Sequence, residues 1–148
     1  MGIEEILKDQ HGEVLRPAVQ GIAPPLPRRV QAALDDFQRR LLELFPGEIS
    51  QLILFGSYAR GEAGPDSDVD VMVVVKWRER QLPGGTYLAW FGDPGWNQII
   101  DVASDVLLER GVHISPLVMG EARYAGSNEL ILNTVQREGK VLWKTQPT

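Results

Sequence analysis

Two short stretches of the chain hold the residues best suited to chemistry: Gly56-Ser57, and the acid pair Asp68 and Asp70. Glycine lets a phosphate come close to the backbone, and the N–H groups that open a helical turn point at an anion. The Ser57 hydroxyl adds a donor, and Arg60 adds a formal positive charge three residues on. Asp68 and Asp70 lie two apart, so on a strand they share one face, roughly 7 Å apart at their α-carbons. Like charges so placed repel unless a cation neutralises them. Hard oxygen donors suit Mg²⁺, which bridges a few carboxylates and substrate phosphates. Ten residues separate Ser57 from Asp68, enough for a loop that folds back and sets a phosphate cradle beside metal carboxylates. Taken alone, a Gly-Ser is usually a turn and an Asp-x-Asp usually a solvated strand end. Their coincidence with a buried strand before and a valine strand after is far more specific.

The elements that must position these residues are legible on either side. Ile49 to Phe55 is a short, nearly continuous apolar run, the pattern of a strand buried on both faces, and it ends at Gly56. Val69 to Val75 is a second such run, and β-branched residues favour strand over helix. Val69, Val71, Val73 and Val75 fall on the face opposite the acids. Gly61, Gly64, Pro65 and Asp66 supply turn chemistry between the strands. Upstream, Val30, Leu34, Phe37, Leu41 and Leu44 recur at helical spacing from Arg28 to Phe45, stopped by Pro46-Gly47. Downstream, Asp93-Pro94 opens a helix with Asp93 as N-cap, Ile99, Ile100, Ala103, Val106 and Leu107 form its stripe, and Gly111 closes it.

Val112 to Met119 reads as a third strand, with Pro116 placing it near an edge or at a bulge. A last helix covers Leu130 to Val135 and a short strand Lys140 to Trp143. Lys76 to Gly92, with Pro83-Gly84-Gly85 and several aromatics, reads as a long ordered loop or hairpin, or alternatively as a lid. The expectation is an α/β (α+β) chain with a small mixed sheet of about four to five strands flanked by helices. Residues 1–25, with Pro17, Pro24 and Pro25, read as an N-terminal extension and proline-rich linker after a short amphipathic helix around Ile3, Ile6 and Leu7. Residues 26–148 read as the folded domain.

Composition narrows the classes further. The chain has 148 residues, 43% of them hydrophobic and 24% charged, the balance of one ordinary globular domain. A net charge of -5 argues against a broad grip on nucleic acid, although Arg28, Arg29, Arg39 and Arg40 leave room for a local basic patch. The absence of cysteine excludes disulfides, thiolate metal sites and a cysteine nucleophile. The acidic start and short apolar runs lack a targeting or membrane signal, so the expected location is cytoplasmic, without membrane association.

The segment Leu54-Phe55-Gly56-Ser57-Tyr58-Ala59-Arg60-Gly61, followed by Ser67-Asp68-Val69-Asp70, resembles the signature of the minimal nucleotidyltransferases of the DNA polymerase beta superfamily. Ile99 to Met119 and Glu138-Gly139-Lys140-Val141-Leu142-Trp143 resemble the stand-alone bacterial and archaeal members. The resemblance implies the nucleotidyltransferase fold and transfer of a nucleoside monophosphate, AMP from ATP, to a protein or a small hydroxyl acceptor. It implies Mg²⁺ on Asp68 and Asp70 as catalytic residues, with Gly56, Ser57, Arg60 and Ser67 binding the nucleoside triphosphate. It also implies a HEPN-domain partner, in a toxin–antitoxin pair whose antitoxin can adenylylate the toxin.

One departure from the family pattern stands out. Polymerising and resistance enzymes take a third carboxylate from a later strand, here Val112 to Met119, whose same-face residues are His113, Ser115 and Leu117. None is acidic. His113 could accept a proton or bind metal, or simply be satisfied by a neighbouring carboxylate, and Asp66 is the nearest supplementary acid. Asp101, Asp105 and Glu109 repeat on a polar helix face and read as solvated. Two functions therefore follow: a Mg²⁺-dependent nucleotidyltransferase, or a weak or inactive nucleotide-binding module that neutralises a HEPN-type partner by binding.

Overall fold

Helix α1 (Arg28–Leu44) buries Val30, Ala33, Leu34, Phe37 and Leu41 along one stripe. Its last turn is closed by the Phe45 N–H on the Leu41 carbonyl, and Gly47 at φ +75° turns the chain into the sheet, as Pro46-Gly47 predicts. The computed structural model describes residues 25–77, 80–81, 87–88 and 94–145. The expected N-terminal helix, most of the linker, His11, the Asp93 cap and most of the Lys76 to Gly92 segment lie outside the described residues.

Four strands form one mixed sheet in the order β5-β2-β1-β6. Strand β1 (Ile49–Phe55) is antiparallel to β2 (Val69–Val75), and β6 (Lys140–Lys144) is antiparallel to β1 on its other side. Strand β5 (Ile114–Gly120) runs parallel to β2, which requires a crossover, and helix α3 (Pro94–Arg110) supplies it. Strand β5 is an edge strand. Pro116 faces Val71 across the only ladder β5 makes in this sheet, so its missing N–H costs no second partner. A separate two-stranded ribbon pairs β3 (Arg80–Gln81) antiparallel with β4 (Tyr87–Leu88).

The sheet has an apolar core on each face. Val69, Val71, Val73 and Val75 pack with Leu52, Leu54, α1 and α3. Met72, Val74, Ile53, Phe55 and Met119 pack with Leu132 and Val135 of α5 (Leu130–Glu138). That double burial is why both central strands read as continuous apolar runs. A short helix not foreseen in the sequence, α4 (Glu121–Gly126), follows β5 directly. Its Arg123 binds Glu129 at the entry of α5, and the pair, with the Ser127 hydroxyl, holds the Glu129 carboxyl at about 2. Among the described residues no helix is long and apolar enough to cross a membrane.

Arg39 and Arg40, half of the basic cluster noted above, are committed within the fold. Both bind Asp36, and Arg40 also reaches Glu109 of α3, a member of the Asp101/Asp105/Glu109 series. Arg110 binds the other Asp36 oxygen at 3.0 Å. Arg29 donates to the Gly111 carbonyl beyond the end of α3, where a cation opposes the helix dipole.

Candidate functional site

The antiparallel pairing of β1 with β2 brings the two candidate motifs together. Phe55, the last residue of β1, faces Asp70 near the start of β2, so Gly56 emerges beside the acid pair. Gly56 adopts φ +77° and ψ −159°, a conformation that L side chains rarely take. A Cβ on this residue would also run into the Asp70 carboxylate. Glycine is thus required twice, by its backbone angle and by the approach of Asp70.

After Gly56 the chain forms α2 (Ser57–Arg60), one turn closed by Gly61 at φ +73°. The buried Tyr58 and Ala59 anchor this turn in the larger core, against β1 and β2. The Arg60 N–H returns to the Gly56 carbonyl at 3.1 Å and the Glu62 N–H to the Ser57 carbonyl at 2.9 Å. A first helical turn leaves its opening N–H groups without intrahelical acceptors, here those of Ser57, Tyr58 and Ala59. Ser67 closes the connecting loop: its hydroxyl accepts the Gly64 N–H at 2.9 Å, and its own N–H returns to the Gly64 carbonyl at 3.2 Å.

Asp68 and Asp70 continue the row of Met72 and Val74 past the end of the core, while the valines fill the other face. Asp68 is about half exposed and accepts from His113 Nδ1 at 2.8 Å. The carboxylate-satisfied alternative for His113 is therefore the one observed. Asp70 is less exposed, and its carboxyl is pushed up from its ordinary value by burial first and then by the Asp68 charge. Glu138 adds to that push, whereas Arg60 and His113 oppose it. Asp66 is exposed, on the loop.

The parallel β2–β5 register sets Ser115 beside Asp70, and the Val69 N–H binds the His113 carbonyl. The strand expected to lack a third acid is thus the strand next to the pair. Among the described residues, no three His, Cys, Asp or Glu side chains converge as a metal cluster. The donor set is two hard carboxylates, which fits an ion that completes its shell with water and substrate oxygens, as Mg²⁺ does.

Arg60, the candidate nucleotide-binding cation, is ion-paired within the fold. Its guanidinium binds Glu62 at 3.0 Å and both oxygens of Glu138 at 3.1 and 3.0 Å. Glu138 also accepts the Gly56 N–H at 3.1 Å. Motif reading did not foresee these contacts of Glu138 with the Gly56 turn. The clue was the Glu138-Gly139 break before the last strand, whose meaning depends on β6 pairing with β1.

Residues 34–123, more than half of the chain, match the nucleotidyltransferase domain family. A Methanocaldococcus jannaschii protein named by inference as a protein adenylyltransferase, MJ0604, is 31% identical over 114 residues, covering 76% of this chain and 97% of its own length. A second from the same organism, MJ0141, named in the same way, is 30% identical over 89 residues, covering 57% of this chain and 74% of its own. A crystal structure described as a toxin–antitoxin with AMP-PNP is 22% identical with a TM-score of 0.48, covering 76% of this chain and 74% of that one. The chain belongs to the nucleotidyltransferase domain family, and nucleotidyl transfer is its class of reaction.

Proposed function

We propose that the chain transfers AMP from ATP to a protein hydroxyl, the hydroxyl oxygen bonding to the α-phosphorus as the bond to the β-phosphate breaks and pyrophosphate and the hydroxyl proton leave, with Mg²⁺ held by Asp68 and Asp70 and the outer phosphates held at the Gly56-Ser57 turn. The observation that carries this reading is the contact of the motifs: Gly56 has room for no side chain because Asp70 stands against it. Donors for phosphate and carboxylates for a cation are then side by side, the pairing a metal–phosphate site needs. A bound Mg²⁺ would supply charge neutralisation at the phosphates and a lowered pKa for an attacking hydroxyl. The chain's own residues do the rest. Ser57 offers its N–H and hydroxyl to phosphate oxygens, Asp70 is held near them by the β1–β2 register, and His113 orients Asp68. Ser67 keeps the loop closed, so its part in nucleotide binding is indirect. Arg60, held by two carboxylates, serves the site through the charge it presents beside Asp70.

Adenylate as the transferred group and a protein as the acceptor are supported by the names of the Methanocaldococcus jannaschii relatives. A HEPN-domain protein is the acceptor that the motif resemblance suggests. The missing third acid on β5 favours a second reading, in which the site binds nucleotide and the chain neutralises its partner by binding alone. Incubation with ATP labelled at the α-phosphate, Mg²⁺ and a HEPN-domain protein encoded by a neighbouring gene separates the two. Label appearing on the partner, lost on chelation of the metal, is the expected result. Nucleotide binding without label transfer would replace the first reading with the second.

A further inference from the structure

Glu138 lies 82 residues from Gly56 in sequence, yet it is the acceptor for the Gly56 N–H. Its side chain is only 16% exposed, and it is gripped by Arg60 through both oxygens. We propose that Glu138 is a positioning residue for the nucleotide site, fixing the direction of the Gly56 turn and holding Arg60 beside it. The inference rests on the reading of Gly56-Ser57 as the phosphate cradle.

Two features make Glu138 a fixed post. Leu54 pairs with Lys140 where β1 meets β6, which brings Glu138, the last residue of α5, to the end of β1 where Gly56 begins the turn. Gly139, between α5 and β6, donates to the Val135 carbonyl at 2.7 Å, and a Cβ there would strike both that carbonyl and Ile53. The backbone on each side of Glu138 is therefore held by packing. A glycine at φ +77° has many other conformations open to it, so its N–H needs a fixed acceptor if the following N–H groups are to keep one direction.

The alternative is that Glu138 competes with phosphate for Gly56 and Arg60. The two roles predict opposite signs. As a competitor, its removal tightens nucleotide binding; as a post, its removal weakens it. Arg60 Nη1 contacts both Glu138 oxygens and offsets part of their charge at close range, so loss of the post outweighs relief of repulsion.

The test is Mg·ATP affinity by calorimetry on the full chain, well below the melting temperature, for wild type, Glu138→Ala and Glu138→Gln. Amide exchange at Gly56 is followed in parallel without ligand. The expected result is about tenfold weaker binding and faster Gly56 exchange in Glu138→Ala. Glutamine keeps an oxygen acceptor and should restore affinity to within about threefold. Wild-type or tighter binding by Glu138→Ala overturns the inference, as does failure of Gln to rescue, because a merely structural role moves the melting temperature and not the affinity. Wild type that binds no Mg·ATP overturns the proposed nucleotide site and the inference together.

Discussion

Asp36 and Asp70 are two poorly exposed acids with opposite surroundings. Asp36, on α1, meets Arg39, Arg40 and Arg110, and these guanidiniums hold its carboxyl far below the usual range. Asp70, at the start of β2, has no ion pair among the described residues; burial and the charges of Asp68 and Glu138 push its carboxyl up. The first acid joins helices α1 and α3 and is complete as it stands. The second is left short of positive charge at the one place where a glycine turn opens beside it. Satisfied charge marks a structural joint, and unsatisfied charge marks a place built for a ligand.

The comparison breaks most visibly at Asp70. Asp70→Asn should lower nucleotidyl transfer at least about 100-fold, while the melting temperature without metal stays level or rises, because a repulsive charge is gone. Kinetics with paired thermal melts check this. Gly56→Ala should cost about 1–3 kcal/mol for its backbone angle, plus the displacement of Asp70, as read by urea unfolding. Asp36→Ala should give the reverse pattern to Asp70→Asn. Stability falls by about 2 kcal/mol, lessened by rehydration of the partly exposed arginines, and Mg·ATP affinity in the folded protein is unchanged.

Acid should also separate the two. The Asp36 carboxyl lies below its unfolded value, so its contribution is present above the ordinary carboxylate range and is lost as pH falls through that range and below. The Asp70 carboxyl lies above its unfolded value, so its cost is felt where it is ionised and is relieved as pH falls through the raised value. Unfolding curves from neutral to acid pH should therefore show a shallower acid-side decline in Asp36→Asn, the remainder including that of Glu129, and a steeper one in Asp70→Asn. The smallest effect belongs to Ser115→Asp, which adds an acid beside Asp70 in the β5 register. It should lower the metal-free melting temperature by a few degrees and gain more from added Mg²⁺ than wild type does.

Much of this was legible in the residue order. Apolar runs at 49–55 and 69–75, with Pro116 nearby in the fold, gave two central strands and an edge strand, and Asp68-x-Asp70 gave the shared face. Asp36 was not legible, because an acid on a helix of mixed polarity looks solvated until Arg110 arrives from α3, 74 residues away. Glu138 was hidden for the same reason. Its meaning lies in the β1–β6 register, a long-range pairing that local propensity does not encode.

The central claim is that the Gly56 turn and the carboxylates of Asp68 and Asp70 form one Mg²⁺–nucleotide site. It is tested most directly by titrating Mg·ATP into wild type and the Asp68→Asn/Asp70→Asn double variant, with melting curves confirming that both are folded. Metal-dependent binding in wild type, lost in a variant at least as stable, is the predicted result. Equal binding by the folded double variant would contradict it.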